Sequence, residues 1–175
     1  MTRFEKERWN VSSGSGVKEF LTDFGTVAVN ICYDSEFPLF ARQQAEQGAE
    51  IILVPSCTDT LAGFNRVKIG CQARALENQC VTAMSSVVGQ ADWSDALGSC
   101  VGAGGIFCPP DTGFPSTGVM AAAEICVPGW TYADVDIEAI AHVRADGVVL
   151  NRKHGDEQVG RDHPAQNIAL GCISS

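Results

Sequence analysis

Two short apolar runs near the N-terminus are separated by residues with turn chemistry. The runs occupy positions 17–21 and 26–31, and Thr22-Asp23-Phe24-Gly25 lies between them. β-Branched and aromatic residues favour strands, whereas Asp and Gly favour the turn that joins two strands. The pattern therefore predicts a β-hairpin. Its second strand is almost continuously apolar, which is typical of a strand covered on both faces.

A helix and another strand are predicted directly after this hairpin. Asp34 or Ser35 can cap the helix, Pro38 suits its first turn, and Gly48 is near its expected end. The dense apolar run at 50–54 then predicts a buried strand. A strand, a helix and a second strand in this order indicate a βαβ unit, and hence parallel pairing.

The rest of the chain continues the alternation of helices and strands. Apolar residues form two helical stripes between positions 62 and 79, which predicts a helix buried over much of its girth. Beyond Leu150 the sequence is polar with little periodicity, so we expect one folded domain at 1–150 and an extended or poorly ordered tail at 151–175. Further strands are predicted at 81–88, 101–108, 119–125 and 130–135, and a short helix at 137–144.

Charge and hydropathy narrow the possible partners. The 12 Lys and Arg residues are outnumbered by 21 Asp and Glu residues, and the net charge of −9 argues against a nucleic-acid surface. No apolar run approaches the roughly 18–20 residues that cross a bilayer, and no signal peptide is recognisable. We therefore expect a cytoplasmic protein that binds neither nucleic acid nor membrane.

The eight cysteines are expected to be reduced thiols. Disulfide frameworks belong to small secreted chains, and much of this chain predicts apolar strands and helices. None of the cysteines forms a C-x-x-C pair, which is the usual spacing of a structural zinc site. No metal site is therefore expected.

Cys32 is the strongest candidate for chemistry. It follows a predicted buried strand and precedes a predicted helix, where α/β proteins place reactive groups. A helix N-terminus favours nearby negative charge and so the thiolate form, and the Tyr33 N–H can stabilise an oxyanion. The competing interpretation is a small buried hydrophobe, which is what a free cysteine usually is.

Other residues offer weaker signals. Ser56 and Cys57 follow the next strand, at the sheet edge that would face a pocket, so both are predicted to bind substrate. Cys57 is also the second candidate nucleophile. A cysteine protease or acyltransferase would instead need His142, His154 or His163 beside the thiol.

Four segments in sequence order resemble motifs of the nitrilase, or carbon–nitrogen hydrolase, superfamily. The segment 31–38, Ile-Cys-Tyr-Asp-Ser-Glu-Phe-Pro, is similar to the nucleophile motif. Phe24-Gly25-Thr26-Val27-Ala28 resembles the strand before it, and 48–56 resembles the strand after it. Ala73-Arg74-Ala75-Leu76-Glu77-Asn78 is similar to a helix motif of the same family.

The resemblance implies an α/β fold of the α-β-β-α sandwich type and a Glu-Lys-Cys catalytic set. In such enzymes the cysteine attacks an amide, nitrile or carbamoyl carbon and forms an acyl enzyme that water releases. It implies no cofactor or metal, a small-molecule substrate, and homodimers or larger homo-oligomers.

The chain departs from the family pattern at its N-terminus. The positions of the catalytic lysine and the first glutamate fall outside it, while Glu5 matches an auxiliary glutamate. For Glu5 the alternative is an ordinary solvated charge. Because Met1 lies inside a motif, we expect a sandwich incomplete at the N-terminus, arising from truncation, clipping or a misassigned start codon.

Two functions of different classes follow. The first is a hydrolase of non-peptide carbon–nitrogen bonds, whose activity is expected to need upstream residues. The second is a catalytically incomplete chain that serves as a non-enzymatic partner subunit.

Overall fold

The computed structural model describes residues 2–94 and 97–158. The α-helices are α1 (Arg3–Arg8), α2 (Pro38–Glu46), α3 (Leu61–Asn78), α4 (Ile137–Asp146) and α5 (Asn151–His154), and 3-10 helices span Cys32–Glu36 and Gly155–Glu157. The strands are β1 (Glu19–Thr22), β2 (Gly25–Val29), β3 (Ile51–Ser56), β4 (Val81–Ser86), β5 (Gly89–Gln90), β6 (Ser99–Cys100), β7 (Gly105–Phe107) and β8 (Val119–Ala122).

A mixed six-stranded sheet organises these elements in the order β1-β2-β3-β4-β7-β8. β1 and β2 form the predicted antiparallel hairpin, and β2, β3 and β4 run parallel. The predicted βαβ unit is therefore confirmed. Because parallel strands present their carboxyl ends at one edge, the segments that follow β2 and β3 meet there.

The two faces of the sheet differ in their covering. Along β3, Ile52 and Val54 are buried in a core shared with Phe64 and Val67 of α3. The intervening Leu53 points to the opposite face and is 41% exposed. Part of that face is covered where Ile140 of α4 packs in a cluster with Val81 and Cys108. Helix α3 thus covers one side, while α4 covers only part of the other, which keeps exposed apolar positions such as Leu53.

The start of α2 differs from the prediction. Neither Asp34 nor Ser35 caps this helix; Phe37 precedes it and Pro38 occupies its first turn. Asp34 and Ser35 instead belong to the 3-10 helix, where their side chains bond to Ile31 and Cys32. Because short polar side chains bond to nearby backbone, they stabilised a separate tight turn here.

Two predictions for the C-terminal third were wrong. Residues 130–135 form no strand, since they pair with no neighbouring strand among the described residues, and Trp130 is 85% exposed. Residues 151–157 are helical rather than extended, and the guanidinium of Arg152 donates to the Ala45 carbonyl oxygen at 3.1 Å. Of the predicted tail, residues 159–175 lie outside the described residues.

No helix in residues 2–94 and 97–158 is long and apolar enough to cross a membrane.

Candidate active site

The backbone at Cys32 adopts a conformation that is uncommon for a residue with a side chain. Its φ is +49°, in the left-handed region, and the residue opens the 3-10 helix just beyond β2. The half-buried thiol faces the Cys57 carbonyl oxygen, with Sγ and O 3.8 Å apart. Such backbone strain persists only where the surroundings enforce it, and it concentrates at functional sites.

Hydrogen bonds within the turn enforce this conformation. The Ser35 hydroxyl donates to the Cys32 carbonyl oxygen at 2.7 Å, and Ser35 is completely buried. The Asp34 carboxylate accepts the Ile31 N–H at 3.1 Å. Bonds on both sides of Cys32 therefore fix the direction in which its thiol leaves the backbone.

Helix α3 holds the turn at Cys32 in place through hydrogen bonds of Arg74. Arg74, only 6% exposed, donates from Nη1 to the Ser35 carbonyl oxygen at 3.2 Å. Its Nη2 donates to Glu77 Oε1 at 3.1 Å. Arg74 and Glu77 belong to the motif at 73–78, so the structure joins that motif physically to the turn at Cys32.

Gly70 allows α3 to approach the turn this closely. A β-carbon at residue 70 would lie 2.9 Å from the Ser35 carbonyl oxygen and 3.2 Å from its carbonyl carbon. Both are backbone atoms, so the 3-10 helix would have to move. A side chain at residue 70 would push Ser35 away from α3, and Ser35 in turn holds the Cys32 carbonyl oxygen.

For the hydrolase that the resemblance implies, we expect Gly70→Ala to lower turnover about tenfold, because small displacements of a reacting group are costly. The gain in helix propensity, about 1 kcal/mol, does not relieve the clash with Ser35. Initial rates of ammonia release would measure the loss. Ile69→Ala is the control, since Ile69 is 64% exposed on the same helix. An unchanged rate in Gly70→Ala would contradict the bracing role.

Cys57 and Ser56, which follow each other at the end of β3, differ in their contacts and exposure. Burial raises the pKa of the Cys57 thiol to about 11, and the adjacent Cys100 adds to this rise. Cys57 therefore stays protonated at neutral pH, which disfavours it as a second nucleophile. Ser56 is 7% exposed and its hydroxyl pairs with that of Ser86 at 2.9 Å. Of these two residues, Cys57 makes the contact with Cys32, through its carbonyl oxygen.

Tyr33 lies directly after Cys32, whereas Glu5 is held by its own helix. The half-buried Tyr33 ring packs edge-on against Phe37, with centroids 4.8 Å apart. Glu5 accepts the Thr2 N–H at 2.5 Å in a capping box, and that bond lowers the pKa of its carboxyl group. Glu5 is thus a charged capping residue here, and no hydrogen bond between it and Cys32 occurs among the described residues.

The histidines do not approach the thiol in the part of the chain that the structure describes. His142 and His154 are exposed on α4 and α5, and neither hydrogen-bonds to Cys32. His163 lies outside the described residues. Within residues 2–94 and 97–158, no three His, Cys, Asp or Glu residues are grouped to hold a metal ion.

The sequence analysis missed two residues that shape the site and gave a third the wrong role. Gly70 had a detectable signal, because a glycine inside a buried helix often marks close backbone packing. Ser35 was assigned a capping role in the wrong helix. Cys100 had no signal at all, since its contact with Cys57 joins residues 43 positions apart.

Comparisons with known proteins agree with this architecture. Residues 1–106 match the sequence model of the carbon–nitrogen hydrolase family. The chain is 37% identical over 153 residues to the probable hydrolase YhcX of Bacillus subtilis, covering 87% of this chain and 30% of YhcX. It is 39% identical over 69 residues to the deaminated glutathione amidase of Yersinia enterocolitica, covering 39% of this chain and 24% of the amidase.

A solved structure provides the corresponding three-dimensional match. Saccharomyces cerevisiae Nit3, of the nitrilase superfamily, superposes with a TM-score of 0.61 at 27% identity, over 79% of this chain and 47% of Nit3. The chain thus spans less than half the length of each of these three relatives. The family match covers more than half of the 175 residues and includes the turn at Cys32, α3 and the parallel strands. The chain belongs to the carbon–nitrogen hydrolase family.

Proposed function

We propose that the protein hydrolyses a non-peptide carbon–nitrogen bond of a small molecule, with the Cys32 thiolate as nucleophile. The observation that carries this proposal is the left-handed turn at Cys32, fastened by Ser35 at the carboxyl end of β2. Positive φ alone does not mark a nucleophile, since the exposed Cys126 has it as well. At Cys32 it coincides with a thiol held at the carboxyl end of a parallel strand. A nucleophile gains a thiol that projects from the backbone in a fixed direction.

The proposed reaction has two stages. Cys32 Sγ attacks the carbonyl carbon of an amide, and the Tyr33 N–H donates to the developing oxyanion. The carbon–nitrogen bond then breaks, the nitrogen leaves as ammonia or an amine after taking up the proton that the thiol lost, and a thioester remains on Cys32. Water attacks the thioester and releases the carboxylic acid and the free thiol.

Glu5 and the loop after β3 have supporting roles in this proposal. Glu5 is assigned as an auxiliary acid–base group because it matches the family's second glutamate, although its bonds to Thr2 hold it in the capping box and lower the pKa of its carboxyl group. Cys57 lies beside the thiol, and we assign Ser56 and Cys57 to the substrate-facing wall. Ser56 would act by fixing that wall through its bond to Ser86.

Amides are the preferred substrate class. The family acts on carbon–nitrogen bonds, and one relative is an amidase of deaminated glutathione. Carbamoyl compounds and nitriles would form the same kind of acyl or imidoyl intermediate on a thiolate, so they belong in the substrate panel.

Trapping the intermediate tests the proposal directly. The 175-residue chain, and the same chain preceded by whatever its gene encodes in frame upstream, would be incubated with small amides, carbamoyl amines and nitriles. Acid quenching and peptide mass spectrometry are expected to show the substrate's acyl mass on Cys32, together with ammonia release. Turnover with no adduct on Cys32 in either protein would reject the mechanism. Absence of turnover in both would favour a non-enzymatic partner subunit.

A further inference from the structure

Two cysteine thiols touch each other beside the candidate active site. The sulfurs of Cys57 and Cys100 are 3.6 Å apart, although the residues are separated by 43 positions in the chain. A disulfide bond is about 2.05 Å long, so the sulfurs need to approach by roughly 1.5 Å. The contact is a close thiol pair in the reduced protein.

Two hydrogen bonds between neighbouring residues hold the two cysteines in this arrangement. The residues that follow them are paired twice: the Val101 N–H donates to the Thr58 carbonyl oxygen at 2.8 Å, and the Thr58 hydroxyl donates to the Val101 carbonyl oxygen at 2.7 Å. These bonds join the loop after β3 to the end of β6. The pair is therefore built into the packing of two segments, so little chain entropy opposes bond formation.

The two thiols differ in their access to solvent. Cys57 is exposed, whereas Cys100 is 3% exposed. An oxidant in solution would therefore reach Cys57 first, and Cys100 would be protected until it reacts with its neighbour. An accessible thiol beside a resolving thiol is two of the three features of reversible cysteine oxidation. The third, a low thiol pKa, is absent, because burial and Cys100 raise the pKa of Cys57 to about 11, so the reaction is slow at neutral pH.

We propose that Cys57 and Cys100 form a reversible disulfide modification site that responds to peroxides. The Cys57 thiolate attacks one peroxide oxygen, the O–O bond breaks, and Cys57 becomes a sulfenic acid while hydroxide leaves and is protonated. The Cys100 thiolate then attacks the Cys57 sulfur, the S–O bond breaks, and a second water forms. Two thiols together lose two electrons and two protons, and hydrogen peroxide is reduced to two waters.

The site adjoins Cys32 without including it. The Cys57 carbonyl oxygen contacts the Cys32 thiol at 3.8 Å, so the same residue links the modification site to the candidate nucleophile. The proposed bond nevertheless leaves Cys32 as a free thiol. The inference therefore does not depend on Cys32 being catalytic.

Alkaline conditions should speed the reaction. The pKa of Cys57, about 11, is raised by burial and by the neighbouring Cys100, Cys32 and Asp59. Only the thiolate attacks peroxide, so the rate should rise about tenfold per pH unit between neutral pH and about pH 10. This response distinguishes the pair from an acidic, fast-reacting thiol.

Peptide mapping after oxidation tests the proposal. The reduced full chain would be treated with hydrogen peroxide at about pH 8.5, alkylated with iodoacetamide, digested and analysed by mass spectrometry. A Cys57–Cys100 cross-linked peptide is expected in most molecules, with Cys32 alkylated. Dithiothreitol should abolish the cross-link and restore two alkylatable thiols. The oxidised protein should melt several degrees higher, because the bond closes a long loop.

Matched variants make the assignment specific. Cys57→Ser and Cys100→Ser should each lose the cross-link, whereas Cys126→Ser should keep it, since Cys126 is another exposed thiol. Because Cys100 is buried and its replacement can impair folding, Cys57→Ser is the deciding variant. A wild-type disulfide between Cys57 and Cys32, or over-oxidation of Cys57 with Cys100 still reduced, would overturn the proposal.

Discussion

Cys32→Ala is expected to reduce amide turnover by at least about a thousandfold, whichever form of the protein shows activity. The substitution removes the sulfur that would carry the acyl group, and no other group in the described site replaces it. Burial raises the pKa of Cys57 to about 11, so Cys57 is protonated at neutral pH. Initial rates of ammonia release at saturating substrate would measure the loss in kcat.

Cys126→Ala is the control for Cys32→Ala. Cys126 is also a free cysteine with a positive φ, +62°, but it is exposed and lies outside the site. Its replacement should leave turnover unchanged, and both variants should give circular dichroism spectra like that of the parent. If Cys32→Ala kept more than about a tenth of the activity, the thiol mechanism would be rejected.

Arg74→Met is expected to lower the free energy of unfolding by about 2–4 kcal/mol and to reduce turnover as well. Methionine fills much of the same volume but cannot donate hydrogen bonds. The variant therefore loses the bond to the Ser35 carbonyl oxygen and the pair with Glu77, in a place where Arg74 is 6% exposed. The Ser35 carbonyl then lacks its donor, and the turn at Cys32 loses its brace. Urea denaturation would measure stability, and substrate kinetics would measure kcat.

Arg66→Met provides a matched comparison on the same helix. Arg66 also joins α3 to the 3-10 helix, through Glu36 at 3.3 Å, but its side chain is 63% exposed. Exposed ion pairs contribute little, so this variant should lose less than about 1 kcal/mol and keep its kcat. Equal effects of the two substitutions would show that Arg74 acts only as a general link between the elements.

The central part of the fold could be predicted because its local signals agreed with each other. Turn residues separated two β-branched runs, Pro38 marked a helix start, and the apolar stripes of α3 matched a buried helix. The segment at 130–135 failed because short apolar runs do not reveal whether a partner strand exists. Trp130 and its neighbours have strand composition but no strand beside them among the described residues.

The sequence predicted which segment forms the candidate site, but not the backbone conformation or the contacts within it. The sequence places Cys32 between a strand and a helix, and the four motif segments indicate the family. It does not specify the left-handed backbone, because φ at Cys32 results from bonds made by Ser35, Arg74 and the close approach of Gly70. Those contacts are tertiary and have no counterpart in local composition. The prediction that a helix N-terminus activates Cys32 also needs revision, since a five-residue 3-10 helix begins there.

The left-handed backbone at Cys32 makes the residue needed for the proposed reaction different from the residue that would be most stable there. A residue with a β-carbon costs about 1 kcal/mol more than glycine in this conformation, so glycine is the residue that the backbone at position 32 would prefer. Replacing Cys32 with glycine would therefore increase the free energy of unfolding, at the expense of the thiol. Cysteine at position 32 therefore lowers the stability of the fold, and under the proposed mechanism glycine at this position in a related chain would mean that the nucleophile is lost.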